Sequence, residues 1–167
     1  LATTRSKPLL APLFAVVAGT VAYSIALAIG TPPTNWDSLT YHLARIGFWL
    51  QQGSVSYIGN PYNEALNGYP PNGEIGQLLV FRTTGDERLM GLVQLVAAVM
   101  CAVGVYGLAR RLARPRPEAA FGAGLFLTLP VVLLEASTTQ NDLIVASLLG
   151  SASFFLAGPS RRDHVVA

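Results

Sequence analysis

The chain has 167 residues, 51% of them hydrophobic and only 12% charged, with a net charge of +2. A soluble domain carries roughly 25% charged residues, so the apolar excess reads as lipid forming part of the solvent. The small cationic excess excludes a chain-wide basic surface for nucleic acid, the lone Cys101 excludes an intrachain disulfide or a Cys-cluster zinc site, and the apolar content excludes a disordered chain.

The first apolar run, residues 9–29 (LLAPLFAVVAGTVAYSIALAI), is free of charge. At about 1.5 Å per residue it reaches roughly 30 Å, the thickness of a hydrocarbon core. Arg5 and Lys7 ahead of it and Ala26-Leu27-Ala28 near its end resemble a secretory signal. Signal cores run about 7–15 residues, so this longer run reads as an uncleaved helix.

Residues 30–88 form the long segment that follows, with five acids against three arginines. It opens on Thr31-Pro32-Pro33-Thr34-Asn35-Trp36, a stiff exit that sets Trp36 at headgroup level. Residues 37–52 read as an amphipathic juxtamembrane helix. Leu39, Leu43, Ile46 and Leu50 recur on one face, Asp37, Tyr41, Arg45 and Gln52 lie opposite, and His42 and Trp49 sit on a flank. Turn chemistry follows at Asn67-Gly68, Pro70-Pro71 and Asn72-Gly73, then a short helix over 74–81.

The second span is residues 89–109, followed at once by Arg110, Arg111, Arg114 and Arg116. The stretch 119–157 is apolar but broken by STTQND at 137–142, leaving flanks 119–136 and 143–157 that are each short for a crossing. They read as two tilted helices or a re-entrant hairpin. Eight of the eleven basic residues (Arg5, Lys7, the four arginines of 110–116, Arg161 and Arg162) fall on one side. That side is cytoplasmic by the positive-inside rule. The expectation is an all-α, multi-pass plasma-membrane protein with a cytoplasmic N-terminus, about four transmembrane helices and a large extracytoplasmic loop.

Candidate chemistry concentrates outside. Asp37 reads as a general base or metal ligand facing the outer leaflet, or as the N-cap of its own helix. Asp142 and Glu135 bracket the outer turn at the membrane boundary, where ionisable groups are costly and mark sites. Capping of the last helix by Asn141 or Asp142 is the plainer role. Tyr41 with Arg45 suits a phosphate, since a guanidinium matches phosphate oxygens in bidentate fashion, against the plainer role of a solvated face. His42 more often packs and hydrogen-bonds than ligates, and Glu74 orients a substrate or caps the next helix. Tyr41, His42, Arg45 and Glu74 are thus the candidate substrate contacts. Arg110 to Arg116 serve as a topology signal on anionic lipid. Cys101 and the methionines are packing residues. No Walker loop, GxGxxG, HExxH or GxSxG motif occurs, so nucleotide binding has no support.

A first helix, the motif NWDSLTYHLARIGFWLQQGS, a large outer segment containing NGYPPNGE and the later turn TTQND together resemble the N-terminal part of a GT-C superfamily polytopic glycosyltransferase. The protein mannosyltransferase and lipid A aminoarabinose transferase group is nearest in pattern, and the resemblance covers residues 9–157. It implies sugar transfer from a polyprenyl-phosphate donor to an acceptor hydroxyl or amine outside the cytoplasm, with Asp37 catalytic and Asp142 assisting. The family commonly has Asp-Glu or Asp-x-Asp at the first site, where this chain has Asp37-Ser38. A single base is then simpler than a two-carboxylate metal site, with a divalent metal as the alternative. Family members have many more spans, so a fragment of a larger enzyme is expected. The competing readings are a non-catalytic membrane subunit handling lipid-linked sugars and a transporter fragment whose short helices around Pro130 are broken at a transport site. The long polar outer segment favours the transferase.

Overall fold

The computed structural model describes residues 7–158, with side chains from residue 11 onward. Arg5, Arg161, Arg162 and the Lys7 side chain, used for the orientation reading, lie outside the described residues. Among the described residues every regular element is helical. Helix α1 is Lys7–Gly30, a π-helical turn Ser38–His42 runs directly into α2 at Leu43–Gln52, and α3 is Ala65–Gly68. Then come α4 (Asn72–Thr84), a 3₁₀ turn at Glu87–Gly91, α5 (Leu92–Arg111), α6 (Arg116–Leu127), α7 (Pro130–Ala136) and α8 (Asp142–Leu156).

Two helical stretches are long and apolar enough to cross a bilayer, Ala11–Gly30 and Glu87–Arg111. The region expected as one span at 119–136 is two helices. Pro130 opens α7, and the preceding Leu129 takes extended backbone (ψ 130°), because a proline ring disfavours helical geometry in the residue before it. The helical path therefore turns by 62° between α6 and α7. Counted as one broken span, that pair raises the total to three. Helix α8 has 15 residues, about 22 Å of rise, which falls short of an upright crossing.

Helix α5 is the central post, packed most extensively on α8 and α6. Small residues make those approaches possible. A Cβ on Gly104 would lie 3.6 Å from the Gly150 carbonyl carbon, and one on Gly107 would lie 2.9 Å from the Phe154 ring. Gly124 of α6 likewise admits Leu13 of α1. Between lipid-solvated helices, close backbone approach supplies the dispersion contact that water exclusion supplies elsewhere. Leu95, Ala98, Val132, Ala136 and Leu143 form the core of this bundle. Among its described side chains, helix α1 buries a narrow seam, Ser24 and Ala28, and turns Phe14, Tyr23 and Ile29 outward.

The segment between α1 and α5 is a folded helical cap. Ile46, Trp49 and Met90 bury together, with Leu43, Leu78 and Phe81 packed around them. This sets α2 differently from the face expected of an amphipathic surface helix. Leu39 is 54% and Leu50 37% exposed, while Ser38, His42 and Arg45 are buried beside Ile46 and Trp49. The cause is a partner that periodicity does not contain: Glu74, from the first turn of α4, lies inside and accepts from both His42 and Arg45.

Candidate functional site

The polar turn between α7 and α8 organises the site. A Cβ on Gly91 would lie 3.2 Å from the Ser137 carbonyl oxygen, and one on Gly73 would lie 3.0 Å from Asn141 Cβ, so the turn beds between the 3₁₀ turn and the start of α4. Gln77 Nε2 donates to the Thr139 carbonyl at 2.7 Å, and the Thr139 amide donates to Ser38 Oγ at 3.2 Å. Gln140 Nε2 then donates to Asp37 Oδ2 at 3.1 Å. From α5, Gln94 Oε1 accepts the Ile144 amide at 3.2 Å. Gln77, Ser38 and the Gln140–Asp37 pair thus staple the TTQND turn to the cap, and Gln94 ties the first turn of α8 to α5.

Asp37 makes no capping hydrogen bond and has helical backbone, so the N-cap role is not the one it fills. It is half-buried, and the amide of Gln140 orients its carboxylate. The π-helical turn begins at the next residue, where the Leu43 amide bonds back to the Ser38 carbonyl. Such turns carry one residue more than the α-helical repeat and recur at functional sites. Asp142 is exposed in the first turn of α8, where a negative charge suits the helix dipole, and Asn141, the residue before it, makes no capping bond.

Tyr41 reports what surrounds it. Its phenol is pushed up to about 12, first by burial and then by the charges of Asp37, Tyr69, Asp142 and Glu74. Its ring lies 4.1 Å from that of His42 and edge-on to Tyr69 at 5.3 Å. Tyr41 is therefore a neutral donor across the physiological range, set among carboxylates. Glu135, half-buried at the end of α7, lies in the same electrostatic neighbourhood as Asp142, Asp37 and His42. The surroundings of Tyr41 are anionic, which suits the hydroxyl groups of a sugar.

The other expected substrate contacts lie beneath this surface. Glu74 Oε1 accepts from His42 Nδ1 and Arg45 Nη1, both at 2.9 Å. Arg45 Nε donates to the Leu66 carbonyl at 2.8 Å and Nη2 to the Ala65 carbonyl. All three guanidinium nitrogens are engaged and the side chain is 1% exposed, so Arg45 ties α2, α3 and α4 together instead of facing a phosphate. The carboxylate can only accept, so Nδ1 of His42 is the donor to it and Nε2 is turned to the interior. His42 Nε2, Glu74 Oε2, Gln77 Oε1, Gln94 Nε2 and Thr139 Oγ1 are buried without a partner among the described residues.

Among the described residues no group of three or more His, Cys, Asp or Glu side chains is disposed to hold a metal ion. Ser38, Gln77, Gln94, Thr139 and Gln140 are organising residues that sequence reasoning did not single out. Gln94, the lone polar side chain in the middle of the run LVQLVAAVM, was the one visible signal.

Fold and site together define an all-helical protein with two helices fit to cross a membrane and a polar cap at the N-terminal end of α5. No protein-family model, curated protein or solved structure matches the chain. The glycosyltransferase resemblance accordingly rests on its motifs.

Proposed function

We propose that this chain is a multi-pass membrane glycosyltransferase, or a portion of one. It moves a sugar from a polyprenyl-phosphate donor to an acceptor on the extracytoplasmic side of the membrane. The observation that carries this reading is the placement of Asp37. The residue follows α1 closely, is held by Gln140 from a turn about a hundred positions away, and shares its surroundings with Tyr41, Asp142 and Glu135. The charge distribution along α5 supports the orientation: the cap lies at its N-terminal end, while Arg110, Arg111, Arg114 and Arg116 gather at its C-terminal end. On this reading α8 and the bent α6–α7 pair complete four membrane-embedded elements, with the α7–α8 turn on the outer face.

The chemistry follows from that placement. Asp37 takes the proton of the acceptor hydroxyl or amine while that atom attacks the anomeric carbon. The carbon–oxygen bond to the lipid phosphate breaks on the opposite face, and the phosphate departs with its electron pair. Tyr41, neutral, donates to a sugar oxygen, and Asp142 holds a second hydroxyl. A donor with a lipid tail requires this chemistry at the bilayer surface, where the cap stands. The 62° break at Pro130 is the feature that a transporter fragment would use. The polar groups converge on the cap and the α7–α8 turn, however, which favours transfer over transport.

Replacing Asp37 by Asn keeps the acceptor for Gln140 and removes the base. Turnover of radiolabelled polyprenyl-phosphate sugars by membranes containing Asp37→Asn should fall by about 100-fold or more. Unchanged turnover at equal protein level would sink the reading.

A further inference from the structure

Three arginines lie between α1 and α5, and two of them are committed. Arg45 is buried against Glu74, and Arg88 grips the Asp86 carboxylate with Nη2 at 2.6 Å and Nε at 3.0 Å. Arg82, in the last turn of α4, has no carboxylate partner among the described residues. A cation in that position is favoured by the helix dipole. The dipole does not account for the hollow beside it.

Arg82 lines a cavity of about 320 Å³ whose other walls include Trp49, Leu50, Ser54, Val55 and Leu78. Among the described residues no carboxylate lines it, so the one charged group in its wall is a cation, which favours an anion. Trp49 and Val55 also wall a second hollow of about 270 Å³, bordered by Tyr57 and Tyr69. Leu79, one helical turn before Arg82, is exposed, as is Leu50 across the cavity. An anion that approaches Arg82 therefore passes apolar side chains. Gly73, which beds the α7–α8 turn, is nine residues from Arg82 along α4, roughly 13 Å of helix rise.

We infer that Arg82 and the hollow bounded by Trp49, Ser54 and Val55 form a phosphate-binding site, suited to a phosphate group carried on an apolar body. Arg is matched to this anion because its planar fork donates two parallel hydrogen bonds to phosphate oxygens. The Ser54 hydroxyl, 3.0 Å from Ser56 Oγ, is a further polar group in the same wall. Phosphate binding at this place stands whether or not Asp37 catalyses, because it requires only the cation and the cavity.

The chain has two tryptophans, so Trp36→Phe leaves Trp49, in the cavity wall, as the only indole. The full chain with this substitution, in a neutral maltoside detergent, is titrated with inorganic phosphate, dihexanoyl phosphatidic acid and dihexanoylglycerol while Trp49 emission is followed. A saturable change with phosphatidic acid is expected, with affinity weakened about tenfold or more by Arg82→Gln and unchanged by Arg88→Gln. A response to phosphatidic acid alone assigns the site to a lipid phosphate. An equal response to inorganic phosphate assigns it to the free anion, and both outcomes uphold the site. No response to either phosphate overturns it. So does an equal response to dihexanoylglycerol, a response that survives Arg82→Gln, or one lost equally in Arg88→Gln. Unchanged far-UV dichroism of Arg82→Gln, an exposed position, shows that its effect is local.

Discussion

Tyr41 is a phenol among carboxylates, half-buried, with its ring against His42 and Tyr69. Its pKa of about 12, against an ordinary value near 10, means that the folded protein holds this proton more tightly than the unfolded chain does. The resulting stabilisation is fully present below about pH 10 and is lost as pH rises through the folded value near 12. Ultraviolet titration of phenolate in the folded protein should show one late step near pH 12 that Tyr41→Phe removes. If all of the phenols titrate together near pH 10, the crowding of negative charge around Tyr41 is not what its neighbours imply. Asp37 differs from Tyr41 in having a fixed hydrogen-bond donor, Gln140, which orients its carboxylate. That contact spans 103 positions of sequence, so no local pattern could have announced it.

At the scale of elements, the buried group of Glu74, His42 and Arg45 holds α2, α3 and α4 as one unit. A buried pair of this kind contributes little net stability over an apolar replacement, but removing one member strands the other. Glu74→Ala leaves the Arg45 guanidinium in the interior without a counter-charge and should cost about 3–5 kcal/mol. The loss would be read as a lowered midpoint in thermal or chemical unfolding of the purified protein. Glu74→Gln retains an acceptor for His42 and Arg45 and should cost less. Equal stability of Glu74→Ala and the unaltered protein would show that Arg45 relaxes to solvent. The apolar spacing of Leu39, Leu43, Ile46 and Leu50 did announce a helix here. Which face turns inward was settled by Glu74 and by the Ile46–Trp49–Met90 contact, since an apolar stripe tolerates exposure at less cost than an unpaired charge tolerates burial.

Across the whole molecule, the separation of charge between the two ends of α5 gives the orientation its test. Ser54 is exposed in the cap, and Cys101, the only native thiol, is buried. In a Cys101→Ser background, Ser54→Cys should react with a membrane-impermeant maleimide on intact cells. Labelling that appears only after the membrane is opened would place the cap inside the cell and remove the outer-face setting for transfer. The two long spans were legible in the sequence because hydrophobic length is a local property. The break between α6 and α7 was legible only in part. Pro130 was visible, but the angle depends on how α7 settles against α5 and α8.

By itself, then, the amino-acid sequence determined the helical class, the apolar helices 9–29 and 89–109, the clustering of arginines after the second, and the polar character of Asp37 and the TTQND turn. Those features follow from hydrophobic run length and charge placement, which need no tertiary contact. Only the folded structure decided that the long segment is a packed cap, that Arg45 and His42 turn inward to Glu74, and that Gln140 reaches Asp37. Each of these depends on a polar group's partner from a distant part of the chain. The cost of burying such a group unpaired, which no linear pattern encodes, selects the arrangement.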